Sequence, residues 1–423
     1  MSTVKNQRIL FVLYGYPLGV STMLINAIAM LKENGNQVSI LANDAQQKDL
    51  PCDSWLNDLF VPMPGKAEAG GAEEIKKCLK KIKPLYGAVK CFKKMLESSA
   101  KKPADDPSWE RRNSGIFDFA EVLRKYLSEH AVDVLMPVEC FSLIACVAAL
   151  EKLELDKRMI YFDMELLDWA PENPLYTDKL ELKRRQFEAL RRVERVVITS
   201  YNRARIFAEI NQFPPDRISV LPVVPRKRDI QKPSVYFRDK FSIGSDKTLV
   251  IYTGNLMPWA QCLEIIESMK NWPPGAVLVM HTWNKGSLST EYFQKLQRAA
   301  EKRPVYFSSD YLRYDEMQQA LTSADIGLLY YQDIDDNFTE IFLSSNKMAE
   351  YLAAGLPLVC SPHESLKDFV DRNGIGFAVD FDGIGGAIET IAANRGRYSE
   401  NVKVCCEKYF IFDKYFKEAF DGI

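Results

Sequence analysis

At 423 residues the chain exceeds the size at which one hydrophobic core keeps growing, so two domains of roughly 200 residues each are the natural expectation. Hydrophobic residues at 47% and charged residues at 26% argue against a largely disordered or fibrous chain. A net charge of −2 gives no global reason to expect nucleic acid as a partner, since such binding normally needs a strongly basic surface.

The chain starts with an apolar run, Ile9 to Tyr14, that is too short for the hydrophobic region of most signal peptides and reads as a strand. The turn Gly15-Tyr16-Pro17-Leu18-Gly19 joins it to a helical pattern ending at Gly35, and Val38-Ser39-Ile40-Leu41 follows as a second strand. Between Gly65 and Gly115 lies a lysine-rich insertion, with Lys76, Lys77, Lys80, Lys81, Lys83, Lys90, Lys93 and Lys94 interleaved with Ile75, Leu79, Ile82 and Phe92. Its composition suits one or two amphipathic helices resting on an anionic membrane, and equally a solvated helical face.

Short apolar runs then recur at Val132–Val138, Met159–Phe162, Val196–Thr199 and Ile218–Leu221, as buried parallel strands do. Pro222, Pro225 and Pro233, set among Arg226, Lys227, Arg228 and Lys232, mark a linker. A second series follows it: Leu249–Tyr252, Val277–Met280, Val305–Phe307, Ile326–Tyr331, Leu358–Cys360 and Phe377–Val379. Two such series predict an α/β chain of two doubly wound, Rossmann-like domains facing each other across a cleft, with ligands at the carboxyl ends of the strands. The expected division is an N-terminal Rossmann-like domain over 1–225, carrying the lysine-rich insertion, and a C-terminal Rossmann-like domain over 226–407. A last helix over 408–423 would pack back on the N-terminal domain.

Nine scattered cysteines without a C-x-x-C pair read as reduced thiols in a cytoplasm. The longest apolar stretch, Cys140 to Leu150, is far short of the approximately 20 residues that span a bilayer, so membrane contact is expected to be peripheral. Three histidines without paired spacing give no zinc signature, and Asp333-Ile334-Asp335, a D-x-D in a polar loop after a late strand, is poorly placed for a metal-nucleotide complex. No metal and no bound cofactor are expected.

The most informative segment runs from Ser344 to Val359: a polar cap, a short helix, a Gly stop and a buried strand. A helix start at Ser345, Asn346 and Lys347 suits a diphosphate, and Glu350, one turn in, is placed to accept from ribose hydroxyls. An ordinary capped helix with an exposed Glu accounts for the same residues.

This segment resembles the donor-site helix of the retaining family 4 glycosyltransferases of GT-B fold, whose pattern is Glu, seven residues, Glu, a small-residue run, Gly, x, Pro. Asp310 to Met317 with Ser323 to Leu329 is similar to that family's nucleobase loop and following strand, and Thr253-Gly254-Asn255-Leu256 to the first loop of its C-terminal domain. The resemblance implies transfer of a sugar from a nucleotide diphosphate to an acceptor hydroxyl, with retention and without metal, in cell-envelope polysaccharide or glycolipid synthesis. It implies donor contacts from Gly15, Gly254, Asn255, His281, Trp283, Lys285, Leu312, Ser345, Asn346, Lys347 and Glu350. Lys347 and Glu350 would act at the donor, and Asp163 and Glu165 on the acceptor side, where helix capping or a salt bridge is the competing role. Glu139, at the end of the preceding strand, is a further carboxylate there.

Three positions depart from the family pattern. Phe342 stands where the first Glu belongs, Asn255 where an Arg is usual, and Ala260 where a Lys is usual. Lys347, Lys285 or Arg313 would have to supply the missing phosphate-binding charge. A nucleotide-sugar epimerase on the same fold, and a non-catalytic sugar- or partner-binding module, are the alternative functions.

Overall fold

The computed structural model describes residues 6–16, 18, 21–43, 54–61, 109–167, 177–226 and 233–420. The lysine-rich stretch lies almost wholly outside the described residues, as do Pro17, Gly19 and the basic part of the linker.

All twelve expected strands form, in two parallel six-stranded sheets. The first has the order β2-β1-β3-β4-β5-β6, from β1 (Arg8–Leu13), β2 (Gln37–Ala42), β3 (Val134–Val138), β4 (Arg158–Asp163), β5 (Arg195–Ile198) and β6 (Ile218–Val220). The second has the order β12-β11-β10-β7-β8-β9, from β7 (Thr248–Thr253), β8 (Ala276–His281), β9 (Val305–Ser308), β10 (Ile326–Leu329), β11 (Leu358–Cys360) and β12 (Gly376–Ala378). Helices cover both faces of each sheet, which is why the central strands are apolar throughout: β3 and β8 are buried at every residue.

The direction of chain progression reverses between β1 and β3 in the first sheet and between β7 and β10 in the second. Loops leaving a sheet at such a point part to opposite faces and open a crevice at the strands' carboxyl ends. Gly15 and Glu139 leave the first reversal, and Gly254 and Tyr330 the second.

The two sheets are joined by more than the linker. The segment 334–345, between β10 and the helix Asn346–Ala353, docks on the ends of β4 and β5. Thr199 Oγ1 and Ser344 Oγ share a hydrogen bond of 2.7 Å, and the Val223 amide donates to Leu343 O at 2.8 Å. Arg203 is 1% exposed; its guanidinium donates to Met164 O at 2.8 Å in the first sheet's domain and to Asn337 O at 2.6 Å in the second's. The last helix, Phe412–Ala419, lies against the first sheet's domain, where Phe420 meets Phe162 with centroids 6.4 Å apart and Asp413 pairs with Arg226 at 3.6 Å.

Candidate active site

The helix Asn346–Ala353 begins as its sequence predicts. Ser345 is the extended N-cap and its hydroxyl accepts from the Met348 amide at 3.2 Å. Gly355, at φ +79°, stops the helix in the left-handed conformation that favours glycine. The inward face carries Met348, Ala349, Tyr351 and Leu352. Tyr351 fixes its position, since the Tyr351 hydroxyl accepts from the Thr253 amide at 2.7 Å and from Thr253 Oγ1 at 3.1 Å. Gly327 in β10 makes room for that ring; a Cβ there would stand 2.5 Å from Tyr351 Cδ2. The helix start is thereby held beside the end of β7, at the reversal of the second sheet.

Two ionisable side chains of this helix have no partner of opposite charge bonded to them among the described residues. Lys347 is only 9% exposed, and no carboxylate lies within salt-bridge distance among the described residues. Its Nζ lies 3.4 Å from Tyr252 Oη, and burial pushes its pKa down from 10.5 to about 8. Glu350 is half-buried, and burial pushes its carboxyl up to about 7, an effect that the Lys347 charge partly offsets. Gly254 takes φ +124°, a backbone conformation that favours glycine, and brings the loop after β7 alongside the Lys347 stem, with a Cβ there 3.5 Å from Lys347 Cδ.

The structure explains two of the departures from the expected pattern. Asn255 Oδ1 accepts from Asn284 Nδ2 at 3.2 Å, and Asn284 in turn caps the turn Lys285–Ser289. Asn255 therefore ties the loop after β7 to the loop after β8. Ala260 is fully buried, a position that an ammonium would occupy only at a high desolvation cost. At the third, Phe342 packs against Phe369 with centroids 4.4 Å apart and the rings tilted by 38°, and its ring serves packing instead of the crevice.

The remaining donor-side candidates lie at the ends of β8 and β9. His281 is 4% exposed, shares a hydrogen bond of 3.0 Å with Ser308 Oγ, and is pushed by burial down to about 4. It is a neutral imidazole that supports the loops; its carbonyl accepts from the Gly254 amide at 2.9 Å. Trp283 is exposed at 42%, and Lys285 is exposed beside it. Leu312 is partly buried against the core, and the following turn is capped by Glu316, whose Oε2 accepts from the Arg313 amide at 2.8 Å.

Across the crevice, Gly15 has φ +72° and its amide donates to Asn43 Oδ1 at 2.8 Å. The acidic residues separate by environment. Asp163 is 1% exposed and is directed into the interior, where Oδ1 accepts from Tyr161 Oη at 2.7 Å and from Gln186 Nε2 at 3.4 Å. Burial pushes its carboxyl up to about 6, which the hydrogen bond from Tyr161 and the charges of Lys183 and Arg203 partly counter. Its surroundings are those of a residue that orders the strand end. Glu165 is open, its side chain 65% exposed and its Oε2 3.7 Å from Arg203 Nη1.

Glu139 is the carboxylate whose backbone is unusual. It leaves β3 at φ +66°, a conformation that costs a non-glycine residue energy and that clusters at functional sites. Its Oε1 accepts from the Met164 amide at 2.9 Å and the Glu165 amide at 3.1 Å. Burial, with Asp163 and Glu165 nearby, holds its carboxyl well above the usual range. Strand-end position is legible in the sequence; the left-handed backbone is not. The role of Arg203 is equally hidden in the sequence, where it is one of two arginines on the helix Tyr201–Asn211.

Among the described residues no group of three or more His, Cys, Asp or Glu is arranged to hold a metal ion. In the D-x-D, Asp335 caps a short helix by accepting from the Asn337 amide at 2.9 Å. None of the described helices is long and apolar enough to cross a membrane.

The fold is shared with solved structures, glycosyltransferases among them. HepE from Anabaena, in complex with UDP-glucose, matches at 13% identity with a TM-score of 0.65, over 98% of each chain. This is the GT-B fold. A glycosyltransferase from Rickettsia africae matches at 11% identity and a TM-score of 0.64, over 99% of this chain and 100% of the other. The lipopolysaccharide outer core galactosyltransferase WaaB matches at 12% identity and 0.56, over 97% of each chain. Within the GT-B architecture, residues 275–407, from β8 to the helix Arg395–Tyr409, match the family described as glucosyltransferase 3-like, C-terminal domain. No curated protein matches the sequence significantly.

Proposed function

We propose that this chain is a glycosyltransferase that takes a sugar from a nucleotide diphosphate and passes it to an acceptor hydroxyl. The observation that carries the reading is the buried Lys347. An ammonium withdrawn from water and left without a carboxylate is costly unless an anion arrives to meet it. It sits at a helix start, beside Gly254 and one turn before an unpartnered Glu350, an arrangement suited to a diphosphate and a ribose. The UDP and UDP-glucose complexes of the Anabaena relative support a nucleotide sugar as donor here.

On this reading the C-terminal half, 226–407, binds the donor through Gly254, Lys347, Glu350 and the amides at Ser345–Lys347, with Leu312 and Trp283 beside the base. The N-terminal half, 1–225, presents Gly15, Glu165 and Glu139 to the acceptor. Lys347 and the helix-start amides stabilise the departing diphosphate, a charge that develops as the glycosidic bond breaks. No divalent cation is needed for that step. Retention of the anomeric configuration, an acceptor in cell-envelope polysaccharide or glycolipid, and a cytoplasmic enzyme touching an anionic membrane through its lysine-rich stretch complete the proposal.

The non-catalytic alternative draws on Asn255 and Ala260, which leave two family cations absent. A thermal-shift panel of UDP, GDP, ADP, CDP and dTDP with their sugars separates the readings. A ligand at 100 times its dissociation constant adds about 2.7 kcal/mol to the folded state. Stabilisation by one nucleotide class, with sugar transfer to an added acceptor, is expected. A flat panel would remove the donor-site reading.

A further inference from the structure

The Lys347 ammonium is enclosed by aromatic rings. Its Nζ lies 4.4 Å from the ring centroid of Tyr331, 4.6 Å from that of Tyr252 and 5.7 Å from that of Trp259. Trp259 and Tyr331 are parallel to within 4°, with centroids 6.3 Å apart. The two tyrosine rings are fixed by hydrogen bonds of their hydroxyls, and Trp259 is anchored through its backbone. Tyr331 Oη shares one of 2.9 Å with Ser345 Oγ, the helix cap; Tyr252 Oη donates to Asn255 O at 2.8 Å; and the Trp259 carbonyl accepts from the Gln332 amide at 2.9 Å.

The rings come from three places in the chain: Tyr252 from β7, Tyr331 from just beyond β10, and Trp259 from the turn between β7 and the next helix. β7 and β10 are the strands on either side of the reversal point. The enclosure is thus built into the crevice itself.

The negative faces of aromatic rings attract a cation without neutralising it. A carboxylate in their place would hold the lysine equally well but would cancel the charge an incoming anion needs. Rings therefore retain an ammonium in a partly dry site while leaving its charge available. We propose that Tyr252, Trp259 and Tyr331 are positioning residues that hold Lys347 as the principal cation for the donor diphosphate, replacing the two cations absent at Asn255 and Ala260. The proposal rests on the donor-site reading above and adds how the charge is held. A cation fixed in this way gains more from the larger charge of a nucleoside diphosphate than from the monophosphate, so the ratio of the two affinities reads it out.

The test uses whichever of UDP, GDP, ADP, CDP and dTDP binds the wild type best, together with its monophosphate. Calorimetric titration of the wild type is expected to show the diphosphate bound at least about tenfold more tightly. Lys347→Met and Trp259→Leu should each reduce that ratio several-fold, whereas Trp259→Phe, which keeps a ring face, should largely preserve it. Tyr331→Leu serves as a second ring-removing variant should Trp259→Leu fail to fold. An unchanged ratio in a folded ring-removing variant overturns the proposal while leaving the donor site standing. Failure of the wild type to bind any of the five nucleotides overturns both.

Discussion

Asn337 and Leu166 exchange two hydrogen bonds between the halves of the molecule: the Leu166 amide donates to Asn337 Oδ1 at 2.7 Å, and Asn337 Nδ2 donates to Leu166 O at 2.9 Å. A side-chain amide here completes a backbone pairing as a neighbouring strand would. Arg203 reinforces it by bonding Asn337 O and Met164 O at once. The linkage connects the loop that orients Glu139 and Glu165 to the segment leading into the Asn346–Ala353 helix.

Removing the Asn337 amide is therefore expected to loosen closure more than folding. Each hydrogen bond contributes about 0.5–1.5 kcal/mol net, so Asn337→Ala should lower stability by about 1–3 kcal/mol at most. Its larger effect should be on transfer, with kcat reduced about tenfold and a larger radius of gyration by small-angle scattering. Unchanged scattering and unchanged kcat would show that the pairing does not control closure.

Gly327→Ala should act on the donor site from inside the sheet. The new methyl would lie 2.5 Å from Tyr351 Cδ2, far inside contact distance. Overpacking of this kind typically costs about 1–3 kcal/mol. Displacing Tyr351 also releases Thr253 at the end of β7. A fall in melting temperature together with weaker nucleotide affinity is expected; a fall in stability with affinity intact would separate the ring from the site.

The ionisation of Lys347 gives a pH dependence with a definite sign. Burial lowers its pKa from 10.5 to about 8, so between these values the unfolded chain carries the proton and the folded protein does not. Its contribution to stability therefore improves as pH rises through that window. A bound diphosphate favours the ammonium, so nucleotide binding at pH 8 to 9 should take up a proton and should weaken as pH rises further. Calorimetry in two buffers of different ionisation enthalpy measures the uptake. Lys347→Met should abolish it, and equal heats in both buffers for the wild type would contradict the assignment.

Much of the architecture was legible because its physics is local. Buried parallel strands read as continuous apolar runs, and the helix Asn346–Ala353 announces itself by Ser345 and Gly355. What could not be read depends on residues that meet only in the folded chain. Tyr252 and Lys347 are 95 positions apart, and Asn337 and Leu166 are 171 apart. The absence of cations at Asn255 and Ala260 was visible in the sequence, but not that Asn255 braces a loop or that Ala260 is sealed in the core. Asp163 and Glu139 illustrate the same limit: both are strand-end carboxylates in the sequence, yet one turns inward and the other is held by a left-handed backbone at φ +66°.

Glu139→Gln tests that distinction. The amide oxygen of Gln still accepts from the Met164 and Glu165 amides, so the loop should keep its shape while the ionisable group is lost. Transfer is expected to fall at least tenfold in kcat with donor affinity unchanged, since general acid–base groups typically contribute about 10²–10⁴ in rate. Full activity in Glu139→Gln would assign the residue to loop structure alone.

Transfer should also persist in EDTA if the proposed phosphate site of helix-start amides and Lys347 holds the donor, since Asp335 of the D-x-D is engaged as a helix cap. Activity lost in EDTA and restored by Mg²⁺ or Mn²⁺ would contradict this.

The central claim is that the Asn346–Ala353 helix holds the donor nucleotide, and calorimetric titration of the cognate nucleotide sugar into wild type and folded Glu350→Ala tests it most directly. Hydrogen bonds to a charged carboxylate are worth about 1.5–3 kcal/mol, so the variant should bind the donor about tenfold to a hundredfold more weakly. Its melting temperature should be little changed, since the Glu350 carboxylate makes no hydrogen bond or close ion pair among the described residues and interacts with Lys347 only through its charge. Unchanged affinity in the folded variant would mean that the donor lies elsewhere.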